Sequence, residues 1–470
     1  MFNYFMMTNH LGENRIINLD WYREFLSLPT DPDRDFILGG STYREVYRLA
    51  AGICHTAKSS PESRPTICLG SDDKSLIAAA LIASLRGGPR LVLPYARSPQ
   101  ALAEVMESLS PTFFLGDGTG EFPPGPRVID TPELRLPGAA LTAAVRDPDD
   151  PFLILFTGGS TGKPKIWSKT PRNMLAEARY QADTFGITKD DLFLSTVPPC
   201  HIYGLLFSIL IPFVSSARVL PEIYTFPKEI LLAAEEHKAT VLISVPVHFR
   251  VLKKDDLERF QLRMAFSSAG MLDREDALCF REKTGVDIIE VYGATETGGV
   301  ATRRRFLDRE AWVPMDPVAW RIRDGRLCVR SDFLSPSLPR DGDGFFVTAD
   351  CADPDGDNRF ILRGRVDDIV KIGGKRVDIA AVQNKLKGIP GVLDAVVMAL
   401  PVRTGRQHEL AALVATGLDV MDVRRAIAHM SEAYAVPKRL AVVEEIPMTP
   451  SGKYDRVEIE RMLKTAKHKT

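Results

Sequence analysis

The residues Thr157-Gly158-Gly159-Ser160-Thr161-Gly162-Lys163-Pro164-Lys165 are of the types that hold an anion. Glycines let backbone N–H groups converge, hydroxyls add donors, and lysines add charge. The stretch follows the apolar run Phe152-Leu153-Ile154-Leu155, which reads as a buried strand. A Walker loop needs four residues between its first glycine and the Gly-Lys pair, then Ser or Thr for magnesium. Here Pro164 follows Lys163, and proline offers no hydroxyl. The chemistry is phosphate binding, with a nucleoside triphosphate held in some other fold. The bland alternative is a flexible Gly/Ser surface loop.

Such a loop needs a scaffold, and the flanking sequence predicts one. Helices are expected over Thr42–Cys54 (capped by Ser41 or Thr42), Ser75–Leu85 and Gln100–Leu109, and strands over Thr66–Leu69, Arg90–Leu93 and Thr112–Leu115. This alternation signals a parallel sheet covered by helices. Gly116–Asp150 reads as a surface connection with room for one short element. Beyond the loop, Arg172–Phe185 is helical and Leu192–Val197 is a strand. Further strands are Val219-Leu220, Val241–Ser244, Met264–Phe266 and Asp287–Val291. Ligands of open α/β sheets bind beyond the carboxyl ends of strands. Several ends here carry small, hydroxylic or acidic residues, notably Ser267–Gly270 and Tyr292–Gly299.

From about Ala319 the pattern changes. Arg321–Val329 is a hairpin turning on Asp324-Gly325. Phe345–Thr348 leads to Asp350, and Phe360–Leu362 leads to Gly364–Asp368. Ile369–Val377 reads as a strand pair. Ile379–Leu386 is a helix, Val392–Leu400 a strand, Val423–Met430 a helix and Leu440–Val443 a strand, forming a small α+β module before a Lys-rich tail. The acidic run Asp353, Asp355, Asp357 alternates like a calcium loop but lacks the closing bidentate Glu, so it reads as a solvated loop.

A chain of 470 residues suggests two or three domains. A net charge of −1 points away from nucleic acid as the main partner. Met1–Met7 lacks the basic and long apolar regions of a signal peptide. The apolar run Leu205–Ile211 meets Pro212 long before it could span a bilayer, so stable membrane insertion is not expected. Six cysteines stand singly with no Cys-x-x-Cys pair, which fits reduced thiols in a cytoplasm.

Five stretches occur in the order seen in the AMP-forming adenylating superfamily of acyl- and aryl-CoA synthetases, adenylation domains and luciferases. They are Thr157–Lys165, Pro199–Gly204, Tyr292–Glu296, Gly364–Asp367 with Lys371–Arg376, and Pro447–Arg456; Asp350 lies between the third and fourth. The chain resembles that superfamily over nearly its whole length. Ile166–Thr170, His201–Leu206 and Tyr292–Gly299 look most like compact AMP ligases of aryl-polyene and xanthomonadin-type pigment pathways. The resemblance implies an α/β fold with a large N-terminal domain of helix-covered, largely parallel sheets (1–366). A small mobile α+β C-terminal domain (367–470) would follow.

The implied reaction is attack of a carboxylate on the ATP α-phosphate, giving an acyl- or aryl-adenylate and pyrophosphate. The acyl group then passes to a pantetheine thiol of CoA or an acyl carrier protein, and the pigment-pathway likeness leans toward the carrier. Such phosphoryl chemistry needs positioning and charge neutralisation. By resemblance Thr157, Ser160, Thr161, Gly162 and Lys165 grip the β/γ-phosphates. Glu296 holds Mg²⁺ and Thr295 touches the α-phosphate. Tyr292 with Gly293 on one side, and Ala269, Gly270 and Met271 on the other, enclose adenine. Asp350 binds the ribose diol and Arg365 contacts ribose or phosphate. Lys453 is the catalytic lysine, a point charge able to follow the bridging oxygen. His201 reads either as a gate between acyl pocket and thiol tunnel or as a core histidine. Asp367 is the implied hinge, and Gly373 and Gly374 the implied thiol tunnel. Ser244, Val245, Ser268, Gly298 and Gly299 are expected to line the acid pocket, with the adjacent glycines leaving room for a ring or a chain.

Gly158 stands where the family usually has Ser, and Ile166 where it usually has Gly. Two further readings stay open: a non-catalytic nucleotide-binding relative, and a luciferase-like oxygenase. The presence of both Lys453 and Glu296 argues against the first.

Overall fold

The computed structural model describes residues 19–118, 121–136, 140–141, 144–157, 165–253, 257, 259–366, 369–372, 375–401, 408–449 and 452–465. The chain divides into two compact units. One comprises Met1–Trp320 with Val329–Phe346; the other comprises Arg321–Cys328 with Val347–Thr470.

The first unit holds two sheets. Strands β1 (Thr66–Leu69), β2 (Arg90–Leu93), β3 (Phe113–Gly116), β4 (Arg127–Asp130), β5 (Leu153–Thr157) and β6 (Lys165–Lys169) lie in the order β4-β3-β1-β2-β5-β6. Every pairing is parallel except the β5–β6 hairpin. Thr42 caps the helix Tyr43–Ala57 with a capping box, its side chain accepting from Glu45 N–H. The helix Lys74–Leu85 is buried on all faces, as its unbroken Leu/Ile/Ala content requires. Its first residue, Lys74, is interior too. The ammonium donates to the carbonyls of Leu220 at 2.6 Å and Glu222 at 3.0 Å. Burial lowers its pKa to about 7.

The second sheet comprises β7 (Leu192–Ser195), β8 (Arg218–Ile223), β9 (Val241–Ser244), β10 (Met264–Ser267), β11 (Ile288–Ala294), β12 (Gly298–Arg303) and β13 (Val313–Pro314). Their order is β13-β12-β11-β10-β9-β7-β8. β8, β7, β9, β10 and β11 are mutually parallel, whereas β12 pairs antiparallel with both β11 and β13. β7 stops at Ser195, two residues before the expected Val197, because the Ser195 hydroxyl bonds both N–H and C=O of Val197 and turns the chain.

A four-stranded sheet, β14-β15-β16-β17, is formed by Ala319–Arg323, Arg326–Arg330, Phe346–Pro354 and Phe360–Arg365. Asp324 and Gly325 both have positive φ (52° and 72°), as the expected Asp-Gly hairpin turn demands. A hairpin of β18 (Ile369–Ile372) and β19 (Lys375–Asp378) follows. A three-stranded sheet joins β20 (Val392–Pro401), β21 (His408–Thr416) and β22 (Arg439–Val443). One face packs Ala395, Val397, Leu410, Ala412 and Val414 against the helices Ile379–Lys387 and Val420–Met430. The other packs Val396, Ala411, Leu413 and Ala415 against Ile459 and Leu463 of the helix Arg456–Thr465.

Several elements exceed the sequence reading. Gly116–Asp150 contains β4 and the 3₁₀ turn Thr131–Leu134, and the segment read as a Lys-rich tail contains the helix Arg456–Thr465. Among the described residues no helix is long and apolar enough to cross a membrane.

Candidate active site

The β5–β6 hairpin carries the ends of the expected phosphate loop. Thr157 closes β5 directly opposite Lys165, the first residue of β6. Trp167 Nε1 donates to Thr157 Oγ1 at 3.3 Å, holding the hydroxyl at the loop's entry. Lys165 is exposed and Thr157 half-buried. Ser160, Thr161 and Gly162 lie outside the described residues.

The second element is the turn joining β11 to β12. Tyr292, Gly293 and Ala294 stay in β11, paired with β12, with a bulge between Tyr292 and Gly293. A Cβ at Gly293 would stand 2.2 Å from the Gly298 carbonyl oxygen, and Gly298 itself has φ +66°. Only glycine suits either place. The tip is closed by Thr297 Oγ1, which accepts from Ala294 N–H at 3.0 Å and donates to the Gly298 carbonyl at 2.9 Å. The Glu296 carbonyl accepts Ser335 N–H at 2.8 Å. Thr295 and Glu296 are half-buried on this turn. Hard oxygen donors with a single carboxylate suit Mg²⁺, which keeps most of its waters.

A stack lies beneath Tyr292. Its ring packs on Trp312 with centroids 5.4 Å apart, and the Arg303 guanidinium sits 4.1 Å from the Trp312 centroid. Arg303 makes a bidentate pair with Glu290 at 2.9 and 2.8 Å, both side chains being almost fully buried. The candidate adenine platform is thus supported through an aromatic–guanidinium–carboxylate chain. Facing residues come from the end of β10. Ser268 Oγ donates to the Val291 carbonyl at 2.8 Å. Ala269 adopts the left-handed region at φ +70°, uncommon for a residue with a Cβ and concentrated at functional sites. Gly270 and Met271 are exposed, Met271 at 76%.

Behind the turn stands a pair of buried charges. Lys169 closes β6 with no exposed surface, and its Nζ donates to the Phe333 carbonyl at 3.4 Å. Glu177, on the helix Pro171–Thr184, is 2% exposed, and its Oε1 accepts Gly299 N–H at 2.8 Å. Burial disfavours both charges, pushing Lys169 down and Glu177 up, and each opposes the other's shift. Glu296 is the second carboxylate that favours charged Lys169. Gly298 and Gly299 also receive a reason unlike the expected room for substrate. Cβ atoms there would meet Glu177 Oε2 at 2.5 Å and Oε1 at 2.8 Å, so the freed space holds a protein carboxylate.

Ser244 and Val245 are interior at the end of β9. The Ser244 hydroxyl lies 2.9 Å from Thr196 Oγ1, which in turn bonds His248 Nδ1 at 2.7 Å. Burial lowers the His248 pKa to about 4, leaving a neutral ring at pH 7. Sequence reasoning passed over His248; its place four residues after Ser244, on the helix Pro246–Leu252, was the available signal. His201 is half-buried at the N-cap position of the helix Ile202–Leu205.

In the second unit, Asp350 and Arg365 are register partners on β16 and β17, with Arg365 Nη1 3.4 Å from Asp350 Oδ1. The acidic run is only partly a loop: Asp353 lies in β16 and pairs Arg363 at 2.6 Å, while Asp355 beyond the strand pairs Arg359 at 3.0 Å. Lys453 sits on a tight hairpin. Thr449 N–H donates to the Lys453 carbonyl at 2.7 Å, and Lys453 N–H donates to Thr449 Oγ1 at 3.2 Å. The Lys453 residue is exposed. Its neighbour Tyr454 anchors the hairpin, its hydroxyl bonding Asp394 at 2.9 Å and accepting from Lys387 Nζ at 2.8 Å. Asp367, Gly373 and Gly374 lie outside the described residues.

The sequence matches the AMP-binding enzyme family over residues 117–332 and the AMP-binding enzyme C-terminal domain over 381–453. Human mitochondrial malonate–CoA ligase ACSF3 is 26% identical, the match covering 89% of this chain and 87% of the relative. Sulfoacetate–CoA ligase of Cupriavidus necator is 26% identical over 66% of this chain and 67% of its own length. ATP-bound MatB from Rhodopseudomonas palustris shares the fold at TM-score 0.82 and 20% identity, covering 96% of this chain and 99% of that one. MenE from Bacillus subtilis, solved with ATP and magnesium ion, does so at TM-score 0.78 and 20% identity, covering 94% and 99%.

The chain belongs to the AMP-forming adenylating superfamily. Its activity is ATP-dependent ligation of a carboxylic acid to a thiol through an enzyme-bound acyl-adenylate.

Proposed function

We propose that this protein is an acid–CoA ligase acting on a small carboxylic acid, with ATP and Mg²⁺ as cofactors. The observation that supports the reading is that both residues assigned here to adenylation stand in closely hydrogen-bonded backbone. Glu296 lies on a turn closed by Thr297 and Ser335, and Lys453 on a hairpin rooted by Tyr454. A non-catalytic relative has no need of either. CoA is favoured over a carrier protein because relatives matched over most of their length are CoA ligases, among them enzymes for malonate and sulfoacetate. The six single cysteines suit a reducing cytoplasm.

In this mechanism Thr157, Ser160, Thr161, Gly162 and Lys165 position the leaving pyrophosphate. Glu296 holds the metal, which would neutralise phosphate charge, and Thr295 orients the α-phosphate. Tyr292 presents its face to adenine, and Ala269, Gly270 and Met271 close the other side. Asp350 accepts two hydrogen bonds from the ribose diol, with Arg365 beside it. Lys453 supplies the positive charge for adenylation, His201 gates the acyl pocket, and Gly373 and Gly374 line the thiol path. Asp367 is the proposed hinge between 1–366 and 367–470. Ser244, Val245 and Ser268 are the residues left to surround the acid, since the space at Gly298 and Gly299 is taken by Glu177.

The test is pyrophosphate exchange over a panel of aryl, fatty and short anionic acids, with CoA and a holo-carrier protein as competing acceptors. Exchange with at least one acid, and thioester release with CoA, is expected. Silence with every acid would overturn the ligase reading, and transfer only to the carrier would overturn the choice of acceptor.

A further inference from the structure

Among the buried charges of the first unit that the mechanism above does not use are Lys169 and Glu177. Burying charge is costly, and well-packed apolar residues often serve stability as well. Their surroundings suggest a different use. Lys169 is the last residue of β6, the strand by which the chain leaves the nucleotide loop. Glu177 lies two turns along the next helix. Both reach toward the support of the Glu296 turn. Glu177 accepts Gly299 N–H at 2.8 Å, three residues past Glu296. Lys169 reaches the Phe333 carbonyl at 3.4 Å.

Asn173, one turn before Glu177, grips the same segment by donating to the carbonyls of Asp332 at 2.7 Å and Leu334 at 3.0 Å. Ser335, next in line, donates its N–H to the Glu296 carbonyl at 2.8 Å. The Glu296 turn is therefore held on two sides by groups from β6 and the following helix. One hold runs through Gly299, the other through the strap 332–335. Gly298 and Gly299 lack side chains where the Glu177 carboxylate stands, so the turn is shaped around that carboxylate.

We propose that Lys169 and Glu177 are a positioning pair that registers the Glu296 turn against the strand leaving the nucleotide loop, so that metal and phosphate groups are gripped at one spacing. The pair touches neither substrate nor metal in this scheme; it acts through Gly299 and the Phe333 carbonyl. This rests on the reading of Glu296 as the residue that engages Mg·ATP, and the experiment separates the two.

Wild-type protein is first assayed for acid-dependent pyrophosphate exchange; absence of exchange would fail the ligase reading itself. Given exchange, Glu177→Ala, Lys169→Met and the double variant Lys169→Met/Glu177→Gln are compared. Four quantities are measured: KM for Mg·ATP, the Mg²⁺ concentration for half-maximal rate, Tm, and the rate of thioester formation from supplied acyl-adenylate and CoA. Each single variant is expected to raise KM for Mg·ATP and the Mg²⁺ requirement at least tenfold, with thioester formation from supplied adenylate changed less than threefold. The double variant keeps an acceptor for Gly299 N–H and leaves no unbalanced charge, so it should recover most of the KM. If all variants lose both half-reactions in proportion to their loss of Tm, or leave KM for Mg·ATP unchanged, the pair is structural only and the proposal falls. Should a single variant not fold, Glu177→Asp decides, since it keeps the charge but draws the carboxylate back from Gly299 N–H: a Mg²⁺ requirement raised severalfold with thioester formation changed less than threefold supports the register, and an unchanged requirement overturns it.

Discussion

The Glu296 turn and the Lys453 hairpin are built on opposite principles. The turn is backed by buried charge: Glu177 and Lys169 stand behind Gly299 and the 332–335 strap, and Glu290 and Arg303 support Trp312 under Tyr292. The hairpin is shaped by the Thr449 bonds and anchored at its root. Tyr454 joins Asp394 and Lys387 in a hydroxyl–carboxylate–ammonium cluster, and its neighbour Lys453 is exposed. Groups that must hold a metal at one spacing gain from an interior that cannot shift without unbalancing charge. In the proposed mechanism a lysine that serves one half-reaction gains from a short rigid root and a place at the protein surface. The two should therefore fail differently.

The sharpest break comes from Lys453→Ala. Adenylation should fall on the order of 10²–10³-fold, the usual cost of removing a charge aimed at the transition state. Tm should stay within about 1 °C, because an exposed side chain supports no packing. Pyrophosphate exchange beside a thermal melt checks this; retained exchange would remove Lys453 from the mechanism. Gly298→Ala should do the reverse. A Cβ there meets Glu177 Oε2 at 2.5 Å and Phe333 Cβ at 2.8 Å, and φ is +66°. Left-handed strain and overpacking together cost about 2–4 kcal/mol. Urea unfolding should show that loss, with adenylation falling alongside it. A stable Gly298→Ala protein would show that the turn is not rigidly backed.

Much of this scaffold was legible because its signals are local. Thr66–Leu69, Arg90–Leu93 and Val241–Ser244 are short apolar runs between polar ends, and each appears with the expected bounds. Strand β21 was not recognised. Its run His408–Thr416 feeds cores on both faces, so it lacks the alternation of a half-buried strand. Strand β12 opens with Gly298-Gly299, which reads as loop until Gly293 is seen packed against the Gly298 carbonyl. Candidate site residues could be named from sequence by their chemical type. Their supports could not, since Lys169, Glu177, Arg303 and Trp312 acquire meaning only through contacts that no spacing rule connects. His248 was missed for the same reason: its partner Thr196 is 52 positions away.

Smaller effects sharpen the comparison. Tyr454→Phe removes the hydroxyl that bonds Asp394 and Lys387 while leaving Lys387–Asp394 at 2.7 Å. The loss should be about 1–2 kcal/mol of second-unit stability. Adenylation should drop only several-fold, because the Met448–Tyr454 bridge and the Thr449 bonds still shape the hairpin. Hydrogen exchange at Gly452–Asp455 would report the loosened root; unchanged protection would mean the backbone bonds alone hold it.

His248 gives the gentlest test, and it belongs to the first unit. Burial places its folded pKa at about 4, below the ordinary value of 6.5. Between those two values the unfolded chain binds a proton that the folded chain refuses. Stability from this residue is therefore complete above pH 6.5 and declines as the pH falls toward 4, with a slope of up to one proton. Gln can keep a hydrogen bond to Thr196 but carries no titrating nitrogen. His248→Gln should flatten the acid limb of the stability curve between pH 6.5 and 4 by that one proton while changing stability little at pH 7.5. Urea midpoints across that range measure it. An unaltered acid limb would show that the ring already accepts its proton in the fold, and that the interior around Ser244 is wetter than the Thr196–His248 contact implies.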